Sequence, residues 1–80
     1  YMSQEMIETK LKNIICDYVD VTPEKIDGGM SLACDVGVDS YTLISMVCSI
    51  EDAFKISIPD GALGNFHTLS DMVEFIKMAA

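Results

Sequence analysis

Residues 39–59 read DSYTLISMVCSIEDAFKISIP. Leu43, Val47, Ile50 and Phe54 recur within them at spacings of 4, 3 and 4, which gathers them on one face of an amphipathic helix. The Asp39-Ser40 pair at its head offers a side-chain acceptor to the free amides of a first turn. The same spacing appears upstream at Ile7, Leu11, Ile14 and Tyr18, where Met6 and Ile15 widen the stripe and the helical pattern covers residues 3–19. It appears again at Leu69, Val73, Ile76 and Ala80, behind a Thr68-Leu69-Ser70-Asp71 run that has the form of a capping box with Asp in place of Glu. Cys16 falls on the outward side of the first helix. Three helices sharing one core make the chain all-α.

The remaining segments fit that reading. Phe54-Lys55-Ile56-Ser57-Ile58-Pro59 alternates like a strand, but a lone strand leaves its backbone groups without partners. It is therefore expected to be an extended link that drops Ile56 and Ile58 into the bundle, with Pro59 opening a short helix through about Phe66. The connection over residues 20–39 is too long to stay unstructured in so small a domain. Val21, Ile26, Met30, Leu32 and Val36 are its candidate anchors, and Thr22-Pro23 reads as the cap and first position of one helical turn. The expected architecture is a four-helix bundle of three longer helices and one short one, with a long first loop. Its predicted core is Leu11, Ile14, Leu43, Val47, Ile50, Phe54, Ile56, Ile58, Val73 and Ile76.

Composition narrows the function. The chain has 80 residues and 8.8 kDa, with 5 lysines, no arginine and 13 acidic residues, for a net charge of −8 and a pI near 4.2. One domain over residues 1–80 is expected. Nucleic acid and anionic membrane are excluded as partners, because binding phosphates requires clustered cations; a basic protein surface is the complement. Cys16, Cys34 and Cys48 are odd in number and form no C-x-x-C pair, so neither a disulfide framework nor a zinc site follows. With no apolar run of membrane-spanning length and no signal-peptide layout, a cytoplasmic monomer with reduced thiols is expected.

Catalytic constellations are absent from the sequence. His67 is the only histidine and stands 27 positions after Ser40, as a loop residue. Asp35, Asp39, Glu51, Asp52 and Asp60 are oxygen donors, but no window supplies the twelve-residue calcium loop of an EF-hand, and Asp27-Gly28-Gly29-Met30-Ser31 puts glycine and methionine where ligands belong. No metal site and no catalytic residue are assigned. What remains is Asp35-Val36-Gly37-Val38-Asp39-Ser40-Tyr41. Asp-Ser before an apolar period is ordinarily a helix cap; here it also puts a serine hydroxyl at the positive end of a helix, where a phosphate is favoured.

That run resembles the D-L-G-x-D-S-L motif of the phosphopantetheine-binding acyl carrier family. A second family motif, phenylalanine followed by x-I-x-I-P-[DE], is matched by Phe54-Lys55-Ile56-Ser57-Ile58-Pro59-Asp60. Val21, Ile26 and Leu32 fall where the family anchors its first loop, and Thr68-Leu69 precedes the last helix as it does there. The likeness spans nearly the whole chain. It implies that a phosphopantetheinyl transferase attaches 4′-phosphopantetheine from coenzyme A to Ser40, with Asp39 presenting the serine to the transferase. The arm would carry acyl chains as thioesters between basic-surfaced acyl-transfer and synthase enzymes, in fatty-acid or polyketide biosynthesis. Ser40 is then modified rather than catalytic, in keeping with the lack of a neighbouring base.

The alternatives are a peptidyl or aminoacyl carrier domain and an unmodified helical interaction module of the same fold. On the second helix, Tyr41, Ser45, Cys48 and Asp52 face away from the predicted core, with Ile44 on the flank. Together with Glu51 they form the expected docking surface. The family's commonest form has leucine after the serine and acids in the first turns, whereas this chain has Tyr41, Thr42 and Ser45. Its negative charge instead stands at Asp35 and Asp39 before the helix, and at Glu51 and Asp52 near its end.

Overall fold

Ser3, Asp39 and Thr68 each start a long helix by accepting an amide of the first turn on a side-chain oxygen. Met6 N–H donates to Ser3 Oγ at 3.2 Å, Thr42 N–H to Asp39 Oδ1 at 2.7 Å and Asp71 N–H to Thr68 Oγ1 at 3.2 Å. The helices that follow in this computed structural model, which describes residues 2–80, are α1 (Gln4–Cys16), α2 (Ser40–Phe54) and α3 (Leu69–Ala79). The capping box at Thr68 is closed: Asp71 Oδ2 accepts the Thr68 amide at 3.0 Å and the His67 amide at 3.0 Å. The all-helical bundle predicted from the sequence is the fold observed.

α1 packs against both α2 and α3, and the core that joins them contains Ile7, Leu11 and Ile15 from α1, Met46, Ile50 and Phe54 from α2, and Leu69, Met72, Val73 and Ile76 from α3. The expected stripes need correction here. Ile14, Leu43, Val47 and Ile56 are only partly buried, and Ala80 is exposed. Met46, which the 4-3-4 pattern passed over, is fully buried. α2 is apolar over most of its circumference, so several meridians satisfied the period and packing against α1 selected the one through Met46, Ile50 and Phe54.

α1 also stops at Cys16 rather than running to Val19. No basic residue stands in its last turn, and Asp17 caps it, followed by Asp20; acids at the negative end of a helix dipole disfavour another turn. Tyr18 thereby leaves the core stripe and donates to, or accepts from, Ser49 Oγ at 2.8 Å, tying the end of α1 to α2. Cys16 is not outward-facing but half-buried against the core, where desolvation, aided by Glu24 and Asp17, pushes its thiol above the ordinary range.

The long first connection is anchored by Ile26, Leu32, Val36 and Val38, all buried, with Val21 and Met30 partly so. It holds a 3₁₀ turn at Pro23–Lys25, where the sequence placed one, and a π turn at Leu32–Val36, which it did not foresee. The loop is sewn to the start of α3: Ser31 pairs with Thr68 in an antiparallel bridge, Leu32 N–H donates to His67 O at 2.8 Å, and Ser70 N–H donates to Gly28 O at 3.0 Å. A Cβ on Gly28 would stand 2.6 Å from Ser70 Oγ, so this crossing is close. After α2 the chain turns at Lys55 in the left-handed conformation, runs extended through buried Ile58, and forms the expected short helix at Asp60–Asn65 as a 3₁₀ segment.

Candidate functional site

Ser40 is the first residue of α2 and is exposed. What sets it there is the π turn before it. Ser31 and Asp35 cap that turn reciprocally: Cys34 N–H donates to Ser31 Oγ at 3.1 Å while Ser31 N–H donates to Asp35 Oδ2 at 2.9 Å. Gly37 ends the turn at φ 90° and ψ 22°, a left-handed conformation that costs a residue with a Cβ about 1–2 kcal/mol. The next amide, on Val38, donates to Leu32 O at 2.7 Å and its side chain is buried. With Val38 fixed from both sides, Asp39 and Ser40 emerge at the surface in a defined register. The aspartate, glycine and second aspartate of the motif thus each have a local backbone task.

Asp39 is exposed, and the Thr42 amide, helped by the Thr42 hydroxyl, holds its carboxyl below the usual carboxylate range. Its carboxylate is therefore ionised at neutral pH, beside the serine.

At the foot of Ser40 opens a cleft of about 250 Å³. Val38, Asp39 and Leu43 line it on the α2 side, and Leu63, Phe66 and His67 on the side of the short 3₁₀ helix. Leu43 is partly buried because it borders this cleft rather than the bundle centre. Phe66 is buried and meets Phe75 of α3 edge to face, with centroids 5.5 Å apart at 72°, a favourable aromatic arrangement. Sequence reasoning did not single out Leu63 or Phe66. Their only signal was being apolar, Leu63 within the short helix and Phe66 just after it.

The other expected site residues fall as follows. Tyr41 is 80% exposed and Ile44 61% exposed; Ser45, Cys48 and Asp52 are exposed as well. The Ser45 hydroxyl is turned back to donate to Tyr41 O at 2.9 Å. Glu51 differs: it is half-buried and its Oε2 accepts the Ile58 amide at 2.7 Å. Among the described residues no cluster of His, Cys, Asp and Glu is arranged to hold a metal ion, and no helix is long and apolar enough to cross a membrane. His67 is exposed and serves the fold through its main chain.

A hydroxyl at the tip of a helix, with no hydrogen-bonded base among the described residues and opening on a cleft of mixed polar and apolar lining, suits covalent attachment of a flexible arm better than turnover. Comparison with known proteins agrees. Residues 9–76 match the family model described as the phosphopantetheine attachment site. The chain is 36% identical over 73 residues to an acyl carrier protein of Sinorhizobium fredii (strain NBRC 101917 / NGR234), covering 91% of this chain and 94% of that protein. It has the same identity and coverage to the acyl carrier protein AcpP of Rhizobium meliloti (strain 1021). To an acyl carrier protein of Thermosynechococcus vestitus (strain NIES-2133 / IAM M-273 / BP-1) it is 35% identical over 81 aligned positions, covering 99% of this chain and all of that protein. The chain belongs to the phosphopantetheine-binding carrier family, whose members bear a bound group for other enzymes and are not themselves catalysts.

Proposed function

We propose that Ser40 is the residue that receives the phosphopantetheine arm and that the chain carries acyl groups on it for fatty-acid or polyketide-type synthesis. The observation that carries this reading is the exposed Ser40 hydroxyl at the first residue of α2, bordering the Leu43, Leu63 and Phe66 cleft. The site fits the group in two respects. The positive end of α2 favours a phosphodiester on Ser40, and the cleft offers apolar walls to the foot of an arm or to an acyl chain on it. The bound group supplies a thiol that forms thioesters. Ser40 supplies the oxygen that holds it, and ionised Asp39 presents that oxygen to a phosphopantetheinyl transferase.

An acyl cargo, rather than an aminoacyl one, is supported by the relatives' names and by the net charge of −8, which suits brief, steered encounters with basic-surfaced enzymes. Such exchange belongs in the reducing cytoplasm, where the three cysteines stay free.

The test is the intact mass before and after incubation with coenzyme A, magnesium and a broad-specificity phosphopantetheinyl transferase, alongside Ser40→Ala. A gain of one phosphopantetheine group in the native chain and none in the variant is expected. A folded, initially unmodified chain that gains nothing would overturn carriage and leave an interaction module of the same fold.

A further inference from the structure

His67 is the only histidine in the chain, and it borders the cleft at the foot of Ser40. Main-chain hydrogen bonds fix its place there. Its amide donates to Asp71 Oδ2 at 3.0 Å and to Asn65 O at 3.2 Å, and its carbonyl accepts the Leu32 amide at 2.8 Å. The residue is nevertheless exposed, and among the described residues its imidazole makes no hydrogen bond. The backbone is held at the rim while the ring stays unengaged.

A phosphodiester on Ser40 adds a fixed negative charge beside ionised Asp39, in a chain whose net charge is already −8. The start of α2 offers partial positive charge, but one of its first amides, that of Thr42, is bonded to Asp39 Oδ1 at 2.7 Å. Ser40 apart, only Ser31 and His67 among the residues bordering the cleft have side chains that donate hydrogen bonds, and only His67 can become a cation. None of the five lysines stands there. The cleft is also small, about 250 Å³ against ~300–1,000 Å³ for ordinary ligand pockets. A phosphate on one wall is therefore within a side chain's reach of the other.

We infer that His67 holds the phosphate of the arm, donating a ring N–H to a phosphate oxygen and so turning the foot of the arm across the cleft toward Leu63 and Phe66. The inference rests on the reading of Ser40 as the attachment point. The neutral ring keeps one N–H for this bond, and protonation makes the bond charge-assisted and stronger. The charged groups on the elements around His67 are Asp27 and Asp35 in the first connection, Asp39 before α2, Asp60 in the short helix and Asp71 in the first turn of α3. All are acids, so they favour a charged ring and repel a phosphate left without one. Asp71 is the rival partner: its carboxyl is held low first by the Thr68 amide and, last among several causes, by attraction to His67. A charge on the ring thus tightens the hold on the arm, and its loss frees the arm to swing out toward an enzyme.

The experiment is phosphorus and proton NMR of the chain loaded enzymatically from coenzyme A, for the native protein, His67→Gln and His67→Ala, between about pH 5 and about pH 8. A phosphodiester keeps its single charge over that range, whereas histidine is the side chain that changes charge within it. The native phosphorus resonance is expected to shift in one step, together with the His67 ring protons. Those protons should also show Overhauser contacts to the two methyl groups beside the arm's phosphate. Glutamine keeps an N–H donor but cannot titrate, so its phosphorus resonance should be flat with pH; alanine should lose the step and the contacts. Amide spectra check that both variants keep the native fold. A flat native resonance, a step that survives in His67→Ala, or ring contacts to α3 without any to the arm overturns the inference. Intact mass of the same samples tells the two failures apart: a chain that takes no arm overturns carriage and this inference together, whereas a loaded chain with a flat resonance overturns only the role of His67.

Discussion

Glu51 Oε2 accepts the Ile58 amide at 2.7 Å, joining the last turn of α2 to the extended link seven residues on. Among the described residues no strand pairs with the link, so this carboxylate does for Ile58 what a ladder would do in a sheet. It also holds the short 3₁₀ helix, and with it Leu63 and Phe66, in place beside the Ser40 cleft. Removing it leaves a partly buried amide unpaired. Glu51→Ala is therefore expected to lower stability by about 1–2 kcal/mol, and Glu51→Gln, which keeps an acceptor oxygen, by less. Urea unfolding of the three proteins checks this; equal midpoints would mean that water replaces the carboxylate without loss.

Two positions share left-handed backbone but differ in residue type. Gly37 has φ 90° and Lys55 has φ 56°. Only the first has the residue that suits it. Gly37→Ala should cost about 1–2 kcal/mol, although nothing lies within 4 Å of the added Cβ. Lys55→Gly should do the reverse, raising stability by up to about 1 kcal/mol as relief of strain outweighs the added freedom of the unfolded chain. Thermal or urea unfolding of both variants gives the two signs. Destabilisation by Lys55→Gly would show that the lysine side chain itself contributes at that turn.

Much of this was readable from residue order, and the exceptions have a common cause. Caps are local, so Asp39 and Thr68 were identifiable with their roles, as was the Thr22-Pro23 turn. Burial on α1 and α2 was not local. Ile14 and Ile15 are adjacent apolar residues, and which one turned inward depended on where α2 and α3 came to rest. The same holds for Leu43 and Val47 against Met46. Glu51 looked like surface charge because its partner amide is seven residues away, across a turn made by a non-glycine residue. The π turn at Leu32–Val36 depends on the Ser31 and Asp35 exchange, a spacing of four where the familiar capping box has three. For the site, Ser40 and Asp39 were visible as a motif, whereas Phe66 and Leu63 enter the cleft only through tertiary packing.

The three cysteines should separate by reactivity. Cys34 and Cys48 are exposed, whereas Cys16 is half-buried and its thiol is pushed up, first by desolvation and then by Glu24 and Asp17. The thiolate is the reacting form, so burial and charge act in the same direction on Cys16. Titration with a chromogenic disulfide on the folded chain is expected to show two fast thiols and one slower by about tenfold or more, all three becoming alike in denaturant. Three equal rates in the folded chain would show that α1 opens on the timescale of the reaction.

Acid should act on the helix starts. Thr42 holds the Asp39 carboxyl low, and the Thr68 amide, with the His67 amide adding to it, holds the Asp71 carboxyl low. Both folded-state values therefore lie below the unfolded value of about 3.9, so the unfolded chain takes up protons first as pH falls. The stabilisation these groups give is complete above about pH 5 and declines as pH drops through their lowered folded values. Between pH 7 and 5 they contribute no slope. Asn at either position keeps an oxygen able to accept the same amides but cannot titrate, so the double variant Asp39→Asn with Asp71→Asn should be less stable at pH 7, where the carboxylates also favour the helix dipoles. It should also lose less stability than the native chain on going to about pH 3. Urea unfolding across that range measures both arms. Parallel curves for the two proteins would assign the acid limb to other carboxylates and leave the caps at Asp39 and Asp71 as neutral contributors.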